Sequence, residues 1–186
     1  MQAKTERIVY YLINFEKELL VHRPYRIFED MAIVFGYLKE DGLTIEPIDH
    51  KCAKKYRWTR DFLWETARKN TKVLLPTKIE PIYKNMIRHT QDEPVFFFSN
   101  KIQRYGASVI LYDDLLQEFS TKYGWNLYLL PTSIHEFLIL FDQGVYSGDE
   151  LLEILKQSNK ELRKDEFLSE NIYYYDRTKR ELISLF

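Results

Sequence analysis

The sequence predicts an α+β fold: a mixed, mostly antiparallel sheet packed with helices and preceded by an N-terminal helical pair. Three observations carry this. Val95-Phe96-Phe97-Phe98 is a continuous apolar run bounded by Pro94 and Ser99-Asn100, the pattern of a strand buried on both faces. Residues 127–130 and 136–141 are two more apolar runs, on either side of the polar junction Thr132-Ser133-Ile134-His135-Glu136. At the other end of the chain, Ile8, Leu12, Phe15 and Leu19 recur at spacings of four, three and four, which fits one face of a helix.

Taken in order, Pro24 stops the first helix, and Phe28, Met31, Phe35 and Leu38 repeat the spacing in a second, closed by Asp41-Gly42. Residues 42–47 read as a short strand. Residues 51–60 are basic with interleaved aromatics. Thr59 is placed to cap a third helix, with Asp61 in its first turn and Phe62, Leu63, Trp64 and Ala67 on its inner face, ending near Asn70. Pro76 breaks the chain again, and residues 79–87 suggest a short helix. After the strand at 95–98, residues 107–111 form a strand entered through Gly106. A helix over 113–122 turns Leu115, Leu116 and Phe119 inward and ends at Gly124. Asp149 caps a helix with Leu151, Leu152, Ile154 and Leu155 on its apolar side. Residues 171–176 and 181–186 close the chain as a hairpin turning at Arg177-Thr178-Lys179. The helix at 113–122 is expected to pack on a sheet shared by 95–98, 127–130 and 134–141, because the connections between them are short.

A chain of 186 residues reads as a single domain over 1–186, with a helical part at about 1–90 and a sheet-containing core at about 91–186. At this size it buries roughly 70% of its unfolded surface and needs no metal or disulfide staple. The lone Cys52 forms no intramolecular disulfide. The polar start after Met1 and the absence of an apolar run near ~20 residues argue against a signal peptide and a membrane helix. These features predict a cytoplasmic protein.

Charge is uneven along the chain. From Lys51 to Thr90 eleven bases stand against three acids, whereas from Asp142 to Glu170 eight acids stand against four bases. Lys54, Lys55, Tyr56, Arg57, Trp58 and Arg60 form the candidate binding surface. Cations interleaved with rings neutralise phosphates and stack bases, and they equally anchor protein interfaces. A solvated basic helix face ranks first for this segment, a protein interface second and a nucleic-acid site third, since an overall pI near 6.4 argues against a dedicated nucleic-acid module.

Ser133, His135 and Glu136 form the other polar candidate. On one extended strand Ser133 and His135 share a face about 6.5 Å apart, too far for direct proton transfer. With no Gly-x-Ser-x-Gly elbow present, the expectation is that Ser133 and Thr132 bond local backbone and His135 packs or pairs. His22, His50, His89 and His135 are scattered without a partner at ligand spacing. Asp113-Asp114 reads as a helix start rather than a ligand pair. No Gly-x-Gly-x-x-Gly or Walker loop is present, so no metal or cofactor is expected.

The chain resembles a family of domains of unknown function from gut clostridia (Lachnospiraceae and relatives). The matching residues are Trp58-Thr59, Leu63-Trp64-Glu65, Ala67 through Asn70-Thr71, Leu74-Leu75-Pro76, Phe98-Ser99-Asn100-Lys101, Tyr105-Gly106-Ala107 and Ile110-Leu111-Tyr112. They continue as Leu127-Tyr128-Leu129-Leu130-Pro131, Ser133-Ile134-His135-Glu136 and the run from Glu170 to Asp176. The chain departs from that family in lacking its usual segment before the first helix pair, and in carrying Thr132 where Ser is usual. The resemblance implies a fold and a bacterial or mobile-element origin rather than a reaction. Together these readings predict a non-enzymatic protein-binding protein of phage or mobile-element type, an inhibitor of a host defence nuclease in the manner of an anti-CRISPR protein. Its partner would be a host protein or a nuclease ribonucleoprotein. The alternatives are an intracellular bacterial domain with a small-ligand or weak hydrolase site near Ser133 and His135, and a nucleic-acid-binding module working through residues 51–72.

Overall fold

The computed structural model describes residues 5–16, 20–82 and 95–185. It is an α+β arrangement of two sheets in which every strand pair among the described residues is antiparallel. The first sheet holds β1 (Ile8–Asn14), β2 (Tyr25–Phe28), β3 (Met31–Leu38) and β4 (Ile45–Pro47); β1 lies along one side of β3, and β2 and β4 also pair with β3. The second holds β5 (Thr77–Ile82), β6 (Val95–Asn100), β7 (Leu127–Ser133), β8 (Glu136–Phe141), β9 (Tyr173–Asp176) and β10 (Glu181–Ser184), in the order β10-β9-β7-β8-β6-β5. The sheets are accompanied by helices α1 (His50–Tyr56), α2 (Arg60–Leu74), α3 (Leu115–Tyr123) and α4 (Gly148–Asn159).

The expected N-terminal helical pair is not there. Residues 8–14 and 31–38 are strands paired from Ile8↔Tyr37 to Asn14↔Met31; Leu19 lies outside the described residues. The cause is burial on both faces. Ile8, Tyr10, Leu12, Met31, Ile33 and Phe35 enter the main core, while Val9, Tyr11, Ala32, Val34 and Leu38 enter a second cluster behind the sheet. A strand with two buried faces is apolar throughout, so a helical spacing can be picked out of it by chance. The β-branched and aromatic residues between the chosen positions, Val9, Tyr10, Tyr11, Ile33 and Val34, decide for strand. The part read as helical, 1–90, therefore holds strands β1 to β5 beside helices α1 and α2 among its described residues.

Smaller corrections follow the same physics. Residues 79–82 belong to β5, not to a helix, and 83–87 lie outside the described residues. Residues 107–111 form a 3₁₀ segment, Gly106–Leu111, instead of a strand. Helix α2 runs on to Leu74 because Leu63, Ala67 and Thr71 continue one buried face. Ser147, not Asp149, caps α4, in a capping box with Glu150. Asp114 opens α3 with a left-handed backbone and makes no side-chain cap.

The expected core does form. Strands β6, β7 and β8 share the second sheet, and α3 packs on it through Phe119, whose ring lies 5.0 Å from Phe96, 4.7 Å from Phe98 and 5.9 Å from Phe141. The main core joins the two sheets, with Tyr10 and Phe35 of one and Phe98 and Phe137 of the other all fully buried. The outer edge of β1 is closed by α2 instead of by a strand. The Tyr10 backbone N–H donates to Thr71 Oγ1 at 3.0 Å, and Asn70 Nδ2 donates to the Ile8 carbonyl at 3.0 Å.

Candidate functional site

The basic-aromatic segment is built by two helix ends. The Asp49 side chain accepts from the Cys52 N–H and starts α1. The helix stops in a left-handed residue, Arg57 (φ 57°), while the Trp58 N–H reaches back to the Ala53 carbonyl at 2.9 Å. That reversal lays the Trp58 ring on Tyr56, centroids 4.8 Å apart and planes 26° from parallel. Thr59 then caps α2, and the ring of Phe62 continues the stack 6.2 Å beyond Trp58. Lys55 Nζ lies 5.3 Å from the Tyr56 centroid. Phe62, expected on the inner face, is 40% exposed, because Leu63, Ala67 and Thr71 take that face and leave Phe62 about 100° away from it.

Of the predicted surface, Lys54, Lys55, Tyr56, Arg57 and Trp58 come together around this stack. Arg60 lines the neighbouring hollow of about 410 Å³ with Tyr25, Arg26, Ile27 and Asp61. Asp61 is engaged by Arg26 at 3.0 Å. Among the described residues, Lys54, Lys55, Arg57 and Arg60 have no carboxylate within salt-bridge distance. Lys54 and Lys55 sit in the last turn of α1, where the helix dipole favours them.

The Ser-Ile-His-Glu junction is the turn between β7 and β8, with Ser133 paired to Glu136. The Ser133 hydroxyl accepts from the His135 backbone N–H at 3.0 Å, and Thr132 Oγ1 donates to the Glu136 carbonyl at 3.2 Å. His135 Nδ1 accepts the Tyr105 N–H at 3.0 Å, so the ring is neutral with its proton on Nε2, 3.7 Å from a Glu166 oxygen. The His135 carbonyl accepts from Ser99 Oγ at 2.8 Å. Ser133 is held by backbone and the imidazole acceptor is occupied, so the arrangement splices a hairpin turn to the 3₁₀ segment and offers no nucleophile–base pair. Burial pushes the Glu136 carboxyl up from its ordinary range, with Glu80 adding to the shift.

Burial also pushes the His135 pKa down, and it outweighs the opposing pull of Glu166. The unfolded chain therefore takes up this proton more readily than the folded one. The stability His135 contributes is complete above the unfolded value of about 6.5 and drains away as pH falls through the lowered folded value. Thermal melts of the wild type and of His135→Gln between pH 7.5 and pH 5 are expected to show the larger drop in the wild type. Equal drops in both would remove His135 as a source of acid sensitivity.

Sequence reasoning missed a cleft of about 460 Å³ beside this turn, where Tyr11, Arg23, Tyr105 and Phe167 meet. Their positions span the chain, and no local pattern connects them. Among the described residues no group of three or more His, Cys, Asp or Glu is placed to hold a metal ion, and no helix is long and apolar enough to cross a membrane.

Comparison with the curated proteins and with the solved structures gave no match. A family model matches residues 1–177, so the chain is a member of DUF5688, a family of unknown function.

Proposed function

We propose that this chain is a non-enzymatic binding protein that engages an acidic protein partner through the Tyr56–Trp58–Phe62 stack and its ring of cations. The observation that carries the reading is that stack, part-exposed and bordered by Lys54, Lys55 and Arg57, which have no carboxylate within salt-bridge distance among the described residues. Aromatic anchors rimmed by Arg and Lys are the composition of interface hot spots. Arg57 adds support. A left-handed backbone costs a non-glycine residue roughly 1–2 kcal/mol, so an arginine at a cap position where glycine is unstrained suggests that its guanidinium serves something other than folding. The finer reading, a phage or mobile-element inhibitor of a host defence nuclease acting in the cytoplasm of a gut clostridium, draws its support from sequence resemblance and compact size. A nuclease ribonucleoprotein would present both acidic side chains and phosphates to this face.

Arg57→Gly separates binding from folding. It relieves the strained cap, so the melting temperature should rise, while association weakens because a charge is lost. Charge reversal at Lys54 and Lys55 should act mainly on the association rate, and more strongly at low salt. The test is affinity capture from a host lysate by the wild type and by the folded Lys54→Glu/Lys55→Glu/Tyr56→Ala/Arg57→Gly variant. A protein held in stoichiometric amount by the wild type and lost by the variant is the expected result. Equal capture by both removes this face from the interface. Tight binding of a 20-nucleotide single strand with a steep salt slope would favour the nucleic-acid reading instead.

A further inference from the structure

The cleft of about 460 Å³ lies between β1 and the loop 163–168, away from the residues of the basic-aromatic stack. Part of its wall is aromatic and aliphatic. The rings of Tyr11 and Tyr105 sit 4.5 Å apart, with Ile134 and Phe167 beside them. The loop that forms its far side is fastened at several points: the Ile134 N–H donates to the Glu166 carbonyl at 2.8 Å, Arg163 holds the Glu166 carboxylate at 2.9 Å, and Asn14 Nδ2 holds the Leu168 carbonyl at 2.8 Å. A cleft held open this way loses little entropy when filled.

Charge at the cleft is unbalanced in one place. Lys164 lies 3.7 Å from Glu16, and Asp165 lies 3.5 Å from Arg163, so three of the four charged lining residues already have partners. Arg23 is the exception. Its guanidinium donates a long 3.5 Å bond to the Tyr11 hydroxyl and has no carboxylate among the described residues. Its planar fork suits a carboxylate in two-point contact. Burial holds the Tyr11 phenol neutral by pushing its pKa up to about 12, although Arg23 pulls the other way.

We propose that this cleft binds a small planar organic anion, an aromatic ring carrying one carboxylate, with the ring against Tyr11, Tyr105 and Phe167 and the carboxylate on Arg23. The volume falls in the range of small-molecule sites, and an aromatic and aliphatic wall facing a small number of placed polar groups is their usual composition. A single negative charge matches the one lining cation left unpaired among the described residues, and the nearby Glu16 and Asp165 carboxylates disfavour a second.

Calorimetric titration of the full chain with 2-naphthoate, set against its uncharged counterpart 2-naphthamide, tests this. Saturable one-to-one binding of the acid is expected, with the amide at least about tenfold weaker. Arg23→Gln should bring the acid down to the level of the amide. Lys54→Glu/Lys55→Glu should leave the titration unchanged, so the outcome is independent of the proposed interface. Equal affinity for acid and amide overturns the proposal, as does the absence of saturation or an Arg23→Gln variant that binds like the wild type. The acid–amide comparison on the unaltered chain decides even where the variant fails to fold.

Discussion

Gly106→Ala is expected to lower the melting temperature by about 6–12 °C, the equivalent of about 3 kcal/mol in a chain of this length. The reason is space, not backbone conformation. A Cβ at residue 106 would come within 2.5 Å of the His135 carbonyl oxygen and 2.7 Å of the Asn100 backbone nitrogen, and it would press on Ser99 Oγ as well. Two of these atoms are main chain in separate elements, the end of β6 and the β7–β8 turn, so a side-chain rotation cannot make room. The Ser99-to-His135 hydrogen bond lies in the path. Gly42→Ala is the reference, since its added Cβ meets nothing within 4 Å and bears only the penalty of a left-handed φ of 69°, about 1–2 kcal/mol. Melts recorded by circular dichroism settle the order. A Gly106→Ala variant within a degree of wild type would mean that the 3₁₀ segment does not rest on the strand ends as described.

Phe119→Ala is expected to cost about 3–5 kcal/mol, read as a lower urea midpoint at unchanged slope. Phe119 seats α3 on the second sheet, with Phe96, Phe98, Tyr123 and Phe141 all within 5.9 Å centroid to centroid. Truncation removes one ring and takes a packing partner from each of four others. Phe119→Leu refills most of the volume and should cost roughly 1–2 kcal/mol. A loss below about 1 kcal/mol for the alanine variant would place α3 elsewhere than on this sheet.

The second half of the chain was legible because its signals are local. The Val95–Phe98 run, the strands around Pro131, the inward Phe119 and the Gly124 stop all lie within windows of a few residues, and the structure keeps each of them. The first half misled for a physical reason. Strands β1 and β3 bury both faces, and nothing in the spacing of Ile8, Leu12 and Phe15 distinguishes a strand with no polar face from a helix with one. The same limit holds at the sites. Lys54 to Trp58 are neighbours in sequence and were found together, whereas Arg23 meets Tyr105 and Phe167 only through tertiary packing. Ser133 and His135 are the local exception: two apart in sequence, their spacing already spoke against a catalytic pair, and the turn engages each side chain with backbone.

The closure of β1 by α2 bears on how the chain survives its own synthesis. Residues 8–13, Ile-Val-Tyr-Tyr-Leu-Ile, hold no charge, proline or glycine, the composition of a segment that templates fibrils when its edge is free. On one side β3 covers it early. On the other, its cover is Thr71, 61 residues after Tyr10. At the usual pace of translation that interval lasts about 3–12 seconds. During it the strand has an open rim and nothing of its own to seal it. Helix α2 thus works as a late gatekeeper: the side chains of Asn70 and Thr71 convert an adhesive ribbon into a finished border.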